Sequence, residues 1–280
     1  MLDMFTNLKK KSGSSIPNIN MLLFGSYGVG KTALALSFSG DVYLIDLENG
    51  SGMYGEVFDN VKVVKPQTLK ELLEATKALK KIVKEDDCVV LDSETVVWDL
   101  MQYTRASHAN KGGIEGGALN LGDWGTIKRV NKNFQQDLIN LPCAVIAIAQ
   151  EKESTDGDGV IRDISPKCEG STPHYFDLVL RVSNDKEEGR RIEVGKRRGD
   201  VLNKDIYDIS GKTFFDVFQD DFEFKVNKEA VVRDYNTKVM YARGKKDLQS
   251  IADGLKEDKR ITAKEKDVVK DIIRKKAEKL

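Results

Sequence analysis

The chain has 280 residues, of which 40% belong to the hydrophobic set and 23 are glycine, an ordinary composition for a globular protein. Its 45 lysines and arginines balance its 45 aspartates and glutamates, so the formal net charge is zero. This balance argues against a uniformly basic nucleic-acid coat and against an acidic disordered chain, while a locally basic groove is compatible with it. The length predicts about two structural units, or one large α/β unit with an appendage.

The N-terminal residues predict a flexible arm. Residues 1–18 are polar and contain the basic run Lys9-Lys10-Lys11. No stretch approaches 18 apolar residues and no signal-peptide pattern is present, so we expect a cytoplasmic protein without a membrane span. The three cysteines, Cys88, Cys143 and Cys168, form no CxxC pair. This usage disfavours a disulfide framework or a structural zinc site, and the first two are expected to be buried thiols.

Between residues 19 and 150, short apolar runs alternate with stretches of helical periodicity. The runs predict strands at 21–24, 42–45, 61–64, 88–91 and 143–149, and the periodic stretches predict helices at 31–39, 67–84, 94–108 and 124–140. A glycine-rich loop is predicted over 109–123. Continuous apolar strands that alternate with helices indicate an α/β fold, in which a mostly parallel sheet is covered by helices on both faces.

After residue 150 the pattern changes. Residues 151–172 are polar and rich in Gly, Ser and Asp without periodicity, which predicts a loop. Residues 177–182 and 191–195 predict two further strands, antiparallel to each other, at the edge of the same sheet. The sequence therefore predicts one core over residues 19–210.

The tail, residues 211–280, predicts a β/helical appendage. Short β-like stretches are expected in 222–241 and helices in 246–256 and 263–279, the last with Thr262 and Glu265 as a capping box. Residues 241–280 contain 13 Lys and Arg against 8 Asp and Glu, a local charge of +5. We expect the apolar stripe of the last helix to pack on the core and its basic face to be solvated, with DNA contact or subunit docking as alternatives. The stripe comprises Val268, Val269, Ile272 and Ile273.

The strongest motif is Gly25-Ser26-Tyr27-Gly28-Val29-Gly30-Lys31-Thr32, which matches GxxxxGK[ST] in full. It follows an apolar strand and opens a helix, as such a phosphate-binding loop requires. The glycines let backbone N–H groups wrap the phosphates, and the helix N-terminus adds its positive dipole end. Lys31 is expected to reach the β- and γ-phosphates, and Thr32 to hold Mg²⁺. The motif therefore predicts a nucleoside triphosphate site.

Polar side chains end three of the other predicted strands. Asp92 ends 88–91 and is expected to hold the Mg²⁺ shell through water, while Gln150 ends 143–149 and could sense the γ-phosphate. Glu48 follows 42–45 and could polarise the attacking water, with Asp46 as a rival for that role. Ligands in open α/β sheets bind outside the carboxyl ends of the strands, so we expect these side chains beside the phosphate-binding loop.

The order of these motifs resembles that of the RecA-like P-loop ATPases. The segments YLIDLENG, CVVLDSE, CAVIAIAQEKES and VGKRR follow the phosphate-binding loop, and the resemblance covers about residues 19–205. It is greatest to the short phage-encoded RecA-like proteins proposed as single-strand annealing or recombination factors. The resemblance implies a RecA-like core, ATP and Mg²⁺ as cofactors, and single-stranded DNA as a partner. It also implies a host-cytoplasm location if the chain is phage-encoded.

The resemblance also implies roles for individual residues. Glu48 matches the water-activating glutamate, Asp92 the magnesium-assisting aspartate, and Gln150 the glutamine that couples the nucleotide to a mobile DNA-binding loop, here 151–172. Lys196 and Arg198 stand where basic residues reach into the neighbouring subunit's ATP site. A homo-oligomer, either a ring or a filament, is therefore expected.

Two functions remain open at this point. The first is Mg²⁺-dependent ATP hydrolysis on single-stranded DNA in phage recombination or replication. The second is a nucleotide-switched loader or adaptor that binds a replication partner, such as a single-strand-binding protein, with little hydrolysis. The mixed charge of 151–172 makes this segment a poor phosphate-binding strip, and in the second function it would be a surface for the partner. Tyr175 and Phe176 could stack on bases or pack in the core. A small-molecule kinase is disfavoured, because 151–172 contains one arginine, Arg162.

Overall fold

A computed structural model describes residues 19–109, 119–185, 189–197, 202, 205–206, 208–218, 228–258 and 261–280. The strands are β1 Asn20–Gly25, β2 Val42–Asp46, β3 Val61–Val64, β4 Cys88–Asp92, β5 Ala144–Thr155, β6 Ile161–Pro166, β7 Leu178–Asp185 and β8 Gly189–Lys196. The helices are α1 Lys31–Leu36, α2 Leu69–Ile82, α3 Glu94–Ala109, α4 Leu121–Ile139, α5 Phe214–Phe218, α6 Lys228–Tyr241, α7 Lys245–Glu257 and α8 Ala263–Ala277. Within these ranges, none of the helices combines the length and the apolar character needed to cross a membrane.

The sheet has the strand order β3-β2-β4-β5-β1-β7-β8, with β6 paired to the outer part of β5. The pairings from β3 to β7 are parallel, and β8 adds an antiparallel edge to β7. The predicted α/β class and its antiparallel edge are confirmed. The register aligns Gly25 with Gln150, and Asp46 with Asp92. The polar ends of the parallel strands therefore meet at one edge of the sheet.

Successive residues of the central strands point to opposite faces, and both faces are buried. In β1, Met21 and Leu23 pack with α1 and α5, whereas Leu22 and Phe24 pack with α2, α3 and α4. A strand covered on both sides has no polar face, which explains why the sequence shows continuous apolar runs. Phe176 is fully buried in the second of these clusters, so core packing and not base stacking is its role.

Helix α4 begins three residues earlier than predicted. Asn120 caps it by accepting the backbone N–H of Asp123 at 3.0 Å, and the Asp123 carboxylate accepts the backbone N–H of Asn120 at 3.1 Å. This reciprocal cap fixes the start of α4 at Leu121. Leu121 lies within 109–123, which was predicted to be a loop because it is rich in glycine. Residues 110–118 of that predicted loop, and the predicted arm of residues 1–18, lie outside the described residues.

The predicted loop over 151–172 is wrong in its first part, where the chain forms a β-hairpin. Strand β5 continues six residues beyond its buried section and pairs antiparallel with β6, placing Glu151 opposite Pro166 and Glu153 opposite Ile164. We call residues 151–166 the β5–β6 hairpin. Most of its side chains are exposed, so its sequence lacks the alternation of apolar and polar residues that a half-buried strand would show.

The predicted β-like stretches in 222–241 are also wrong where the chain is described, because residues 228–241 form α6. Val231, Tyr235 and Val239 are buried at intervals of four residues, which is helical spacing. The capping box of Thr262 and Glu265 is confirmed at the start of α8. In the predicted stripe of α8, Val269 is buried, Ile272 and Ile273 are partly buried, and Val268 is 50% exposed.

Helices α6, α7 and α8 pack around clusters of their own and contact the core through a buried polar network. The Lys238 ammonium lies 2.6 Å from Asp216 of α5 and 2.8 Å from Asp234 of α6. The Arg233 guanidinium donates to the carbonyl of Ser39, 3.1 Å away, just after α1. These contacts place the C-terminal helices beside the helix that follows the phosphate-binding loop. The division at residue 210 itself stays a prediction.

Glu94 is a buried carboxyl group between α3 and α4. The side-chain amide of Gln135 donates to both of its oxygens, at 2.9 and 3.0 Å, and Gln135 Oε1 is buried without a partner in the described part of the chain. Burial raises the pKa of Glu94 from 4.5 to about 7, against the effect of the Gln135 hydrogen bond. Burial disfavours the charged carboxylate, so the folded state favours the neutral acid.

We expect Glu94→Gln to stabilise the protein at pH 8 and to change little at pH 4. Between the unfolded pKa near 4.5 and the folded pKa near 7, only the folded state keeps the proton, so wild-type stability falls as the pH rises through this window. The loss corresponds to about 3 kcal/mol. Urea unfolding of both proteins at pH 4 and pH 8 measures it. A difference between them that is the same at both pH values would contradict the assignment.

Candidate functional site

The phosphate-binding loop is shaped by glycines whose backbone conformation or surroundings disfavour a side chain. Gly28 and Gly30 have φ values of 73° and 82°, in the left-handed region. A Cβ on Gly25 would lie 2.1 Å from the carbonyl oxygen of Val182, and one on Gly30 would lie 2.6 Å from the Arg190 guanidinium. Strand β1 therefore ends, and α1 begins, in a turn that leaves backbone N–H groups free to face a ligand.

Lys31 lies at the start of α1 with its ammonium folded back onto the loop. Its Nζ donates to the carbonyl of Gly25 at 2.9 Å and to that of Ser26 at 2.6 Å. Burial lowers the pKa of Lys31, and the carboxylates of Asp92, Glu48 and Glu151 oppose that change. The side chain is thus a desolvated cation held at the centre of the loop.

Thr32 and Asp92 face each other across the cavity. The Thr32 hydroxyl donates to Asp92 Oδ2 at 2.8 Å. Burial, together with the nearby charges of Glu48 and Asp46, raises the pKa of Asp92 to about 6, against the effects of this hydrogen bond and of Lys31. A hydroxyl beside a carboxylate is a donor set of the kind that Mg²⁺ prefers, and a cation there would lower the pKa of Asp92 again. These two residues therefore fit a magnesium ion.

Glu48 and Gln150 complete the cavity. Glu48 Oε1 accepts the hydroxyl of Ser93 at 2.5 Å and lies 3.5 Å from Gln150 Nε2, at the limit of a hydrogen bond. The cavity has a volume of about 210 Å³. Its lining brings together the predicted Tyr27, Gly28, Gly30, Lys31, Thr32, Glu48, Asp92 and Gln150.

The AAA domain family matches residues 17–209 of this chain. The chain belongs to the AAA domain family. The predicted RecA-like P-loop ATPase fold is confirmed by this match and by the sheet. A solved structure of the RadB recombinase is similar, with 19% identity and a TM-score of 0.45, over 69% of this chain and 87% of that one. No curated protein matches the chain.

In this AAA domain, Asp46 does not line the cavity. Its carboxylate accepts the backbone N–H groups of Gly50 at 3.3 Å and Ser51 at 3.0 Å, and it lies 3.5 Å from the Lys65 ammonium. Burial raises the pKa of Asp46, but the hydrogen bonds from Ser51 and Gly50, helped by Lys65, outweigh burial and leave it below the usual value. Asp46 therefore stabilises the turn that presents Glu48.

Lys196 lies away from the cavity of its own AAA domain. It stands opposite Val179 near the start of β7, because β8 runs antiparallel to β7. Its Nζ donates to the carbonyls of Pro173 and Phe176 at 2.8 Å and of His174 at 3.2 Å. Arg198 lies outside the described residues. A role of this pair in a neighbouring subunit's site stays a prediction.

Arg190 of β8, which the sequence analysis did not identify, contacts the phosphate-binding loop. Its Nη2 donates to the carbonyl of Gly30 at 2.7 Å, and its Nε is buried without a partner among the described residues. Arg190 also lines a larger cleft of about 680 Å³ between α1 and helices α6 and α7. Only the antiparallel pairing of β8 brings this residue to the loop, and no local motif marks it.

Two more residues of the AAA domain were missed, one that lines the cavity and one that contacts the phosphate-binding loop. Tyr54, at the end of a 3-10 turn formed by Ser51–Tyr54, also lines the cavity. Glu151, the residue after Gln150, accepts the hydroxyl of Ser26. The signal available for Glu151 was its place directly after a strand end that faces the phosphate-binding loop.

Proposed function

We propose that this protein binds ATP with Mg²⁺, hydrolyses it, and acts on single-stranded DNA in phage recombination or replication. One observation carries the ATPase part. Lys31 and Thr32 open α1, Glu48 follows β2, Asp92 ends β4 and Gln150 follows the buried part of β5, and all five line a single cavity at the phosphate-binding loop. A structural turn with an incidental lysine would not need the four other polar groups.

Each side chain has a task that its position supports. Lys31 would exchange its two carbonyl partners for the β- and γ-phosphate oxygens, and Thr32 and Asp92 would hold the metal. Mg²⁺ would supply charge stabilisation at the phosphates. Glu48, fixed by Ser93, orients a water and accepts its proton.

The nucleoside needs more space than this cavity offers. The cavity volume of about 210 Å³ is below the range of roughly 300–1,000 Å³ for small-molecule pockets. The larger cleft begins at Ala33 and Leu34 of α1, directly after Thr32. We infer that the phosphates lie on the loop and that the base extends past Tyr54 and Arg190 toward this cleft.

DNA coupling is supported by the connection between Gln150 and the β5–β6 hairpin. Gln150 is the first exposed residue after the buried part of β5, and its carbonyl accepts the backbone N–H of Lys167 at 2.7 Å. Both ends of the hairpin therefore meet at the residue that lies 3.5 Å from Glu48. A change at Gln150 on hydrolysis would move the hairpin as a unit.

The loader or adaptor alternative is favoured by the surface of the same hairpin. Residues 151–166 contain five acidic and two basic side chains. Val160 and Ile161, near the tip, are 51% and 48% exposed. An acidic strip with an exposed apolar pair suits a protein partner, such as a single-strand-binding protein, better than it suits a phosphate backbone.

The ATPase rate, measured with and without single-stranded DNA over a range of protein concentrations, tests the proposal. We expect the rate per subunit to rise about tenfold or more with DNA, and to rise with concentration if Lys196 and Arg198 complete a neighbour's site. Duplex DNA of equal length is the control. A rate per subunit that depends on neither variable would contradict the DNA-coupled, shared-site version. Tight ATP binding without turnover, together with capture of a single-strand-binding protein, would select the adaptor.

A further inference from the structure

Glu151, the first residue of the β5–β6 hairpin, contacts the phosphate-binding loop with one carboxylate oxygen and β7 with the other. Oε1 accepts the hydroxyl of Ser26, and Oε2 accepts Nε of Arg181 at 3.0 Å. The Glu151 side chain is 14% exposed. A largely buried carboxylate with two good donors has a fixed position, so the first residue of the hairpin is held against the loop.

Arg181 is in turn fixed to the edge strands. Its Nη1 donates to Glu193 of β8 at 3.1 Å, and Glu193 also accepts Arg191 at 2.8 Å and the hydroxyl of Ser183 at 3.1 Å. We call Glu151, Arg181, Glu193 and Arg191 the charge ladder. It contains two acids and two bases and runs from the hairpin base across β7 to β8, so Glu151 is attached to the rigid sheet edge.

Glu151 is also close enough to Lys31 to affect it. Its charge is among those that oppose the effect of burial on the pKa of Lys31. Phosphates on the loop would take Lys31 as their own partner and would place negative charge next to the Glu151 carboxylate. Glu151 then loses an attraction and gains a repulsion, while the Arg181 contact away from the phosphates is unaffected.

We propose that Glu151 is a positioning residue that closes the base of the β5–β6 hairpin on Ser26 and releases it when a nucleoside triphosphate binds. The inference rests on the proposed function, because it assumes that the loop binds ATP. It differs from the role of Gln150, which faces Glu48 and responds to hydrolysis. Glu151 acts through Ser26 and Arg181 and makes the hairpin respond to binding itself.

Hydrogen exchange of residues 151–166 in the full chain, with and without ATPγS and Mg²⁺, tests this role. In the wild type we expect nucleotide to speed exchange of the hairpin amides about threefold or more. Glu151→Gln removes the negative charge that holds Arg181 and that bound phosphates would repel. Exchange should already be fast without nucleotide and change little with it, and ATPγS should bind about three- to tenfold more tightly.

Two further variants separate coupling from simple destabilisation. Glu153→Gln removes the same charge two residues along the strand, at an exposed side chain, and should keep the wild-type response. Ser26→Ala removes only the hydroxyl and should lose the nucleotide response as Glu151→Gln does. If Glu151 had a purely structural role, Glu151→Gln would speed exchange by the same factor with and without nucleotide. The affinity for ATPγS would then be unchanged.

The outcomes are distinguishable from failure of the proposed function. If the wild type does not bind ATPγS, both the proposed function and this inference fail. If it binds ATPγS and the hairpin does not respond, or if Glu151→Gln responds as the wild type does, this inference alone is overturned. A loss of response in Glu153→Gln equal to that in Glu151→Gln would also overturn it.

Discussion

Replacing Lys31 with alanine is expected to lower ATP turnover by about 100-fold or more and to weaken ATP binding. Lys31 is the cation at the centre of the phosphate-binding loop, and its ammonium is desolvated and needs only to leave two carbonyl oxygens to meet the phosphates. Phosphate release and the fluorescence of a labelled ATP analogue measure the two effects. The variant also removes the hydrogen bonds to Gly25 and Ser26, so its thermal unfolding should be recorded in parallel.

Lys81→Ala provides the matched control, because Lys81 is an exposed lysine in the last turn of α2. It should keep wild-type turnover and binding. Turnover in Lys31→Ala within a few-fold of wild type, with the protein folded, would contradict the assignment of this loop as the triphosphate site.

Replacing Glu48 with glutamine is expected to lower hydrolysis by about 100-fold or more while ATP stays bound. Glutamine has the shape of glutamate and can still accept the Ser93 hydroxyl, so the cavity should keep its geometry. It cannot accept a proton from water, so the chemical step should fail and ATP should accumulate on the protein. Filter retention of labelled ATP together with phosphate release separates binding from chemistry.

Asp46→Asn distinguishes the two carboxylates of this segment. Asp46 holds the turn through the N–H groups of Gly50 and Ser51, so its loss should lower the melting temperature, and it should reduce turnover less than Glu48→Gln does. Full activity in Glu48→Gln would remove Glu48 from the water-activating role.

The sequence predicted the part of the site that a strand end or a local motif encodes. The loop at Gly25–Thr32 is contiguous, and its residue types follow directly from the need for bare backbone around phosphates. Asp92 and Gln150 each follow a continuous apolar run, and parallel strands bring such ends to one edge. The class of fold follows from the same runs.

Side-chain contacts that depend on pairing between distant strands could not be predicted. Arg190 contacts Gly30 across 160 residues of sequence, because β8 turns back beside β7. The Glu151 contact with Ser26 depends on the register of β5 against β1. The hairpin and α6 were predicted wrongly because of their local sequence. An exposed hairpin has no apolar period. In α6 the apolar Val231, Tyr235 and Val239 recur every four residues, but the adjacent β-branched Val231 and Val232 favour a strand.

We propose that the cavity lined by Lys31, Thr32, Asp92, Glu48 and Gln150 hydrolyses ATP. Product analysis of ATP incubated with the unmodified chain tests it most directly, in Mg²⁺ and in EDTA, at several protein concentrations and with single-stranded DNA present. We predict equimolar ADP and phosphate in Mg²⁺, and intact ATP in EDTA. ATP that stays intact in Mg²⁺ at every concentration, with DNA present, would contradict the claim.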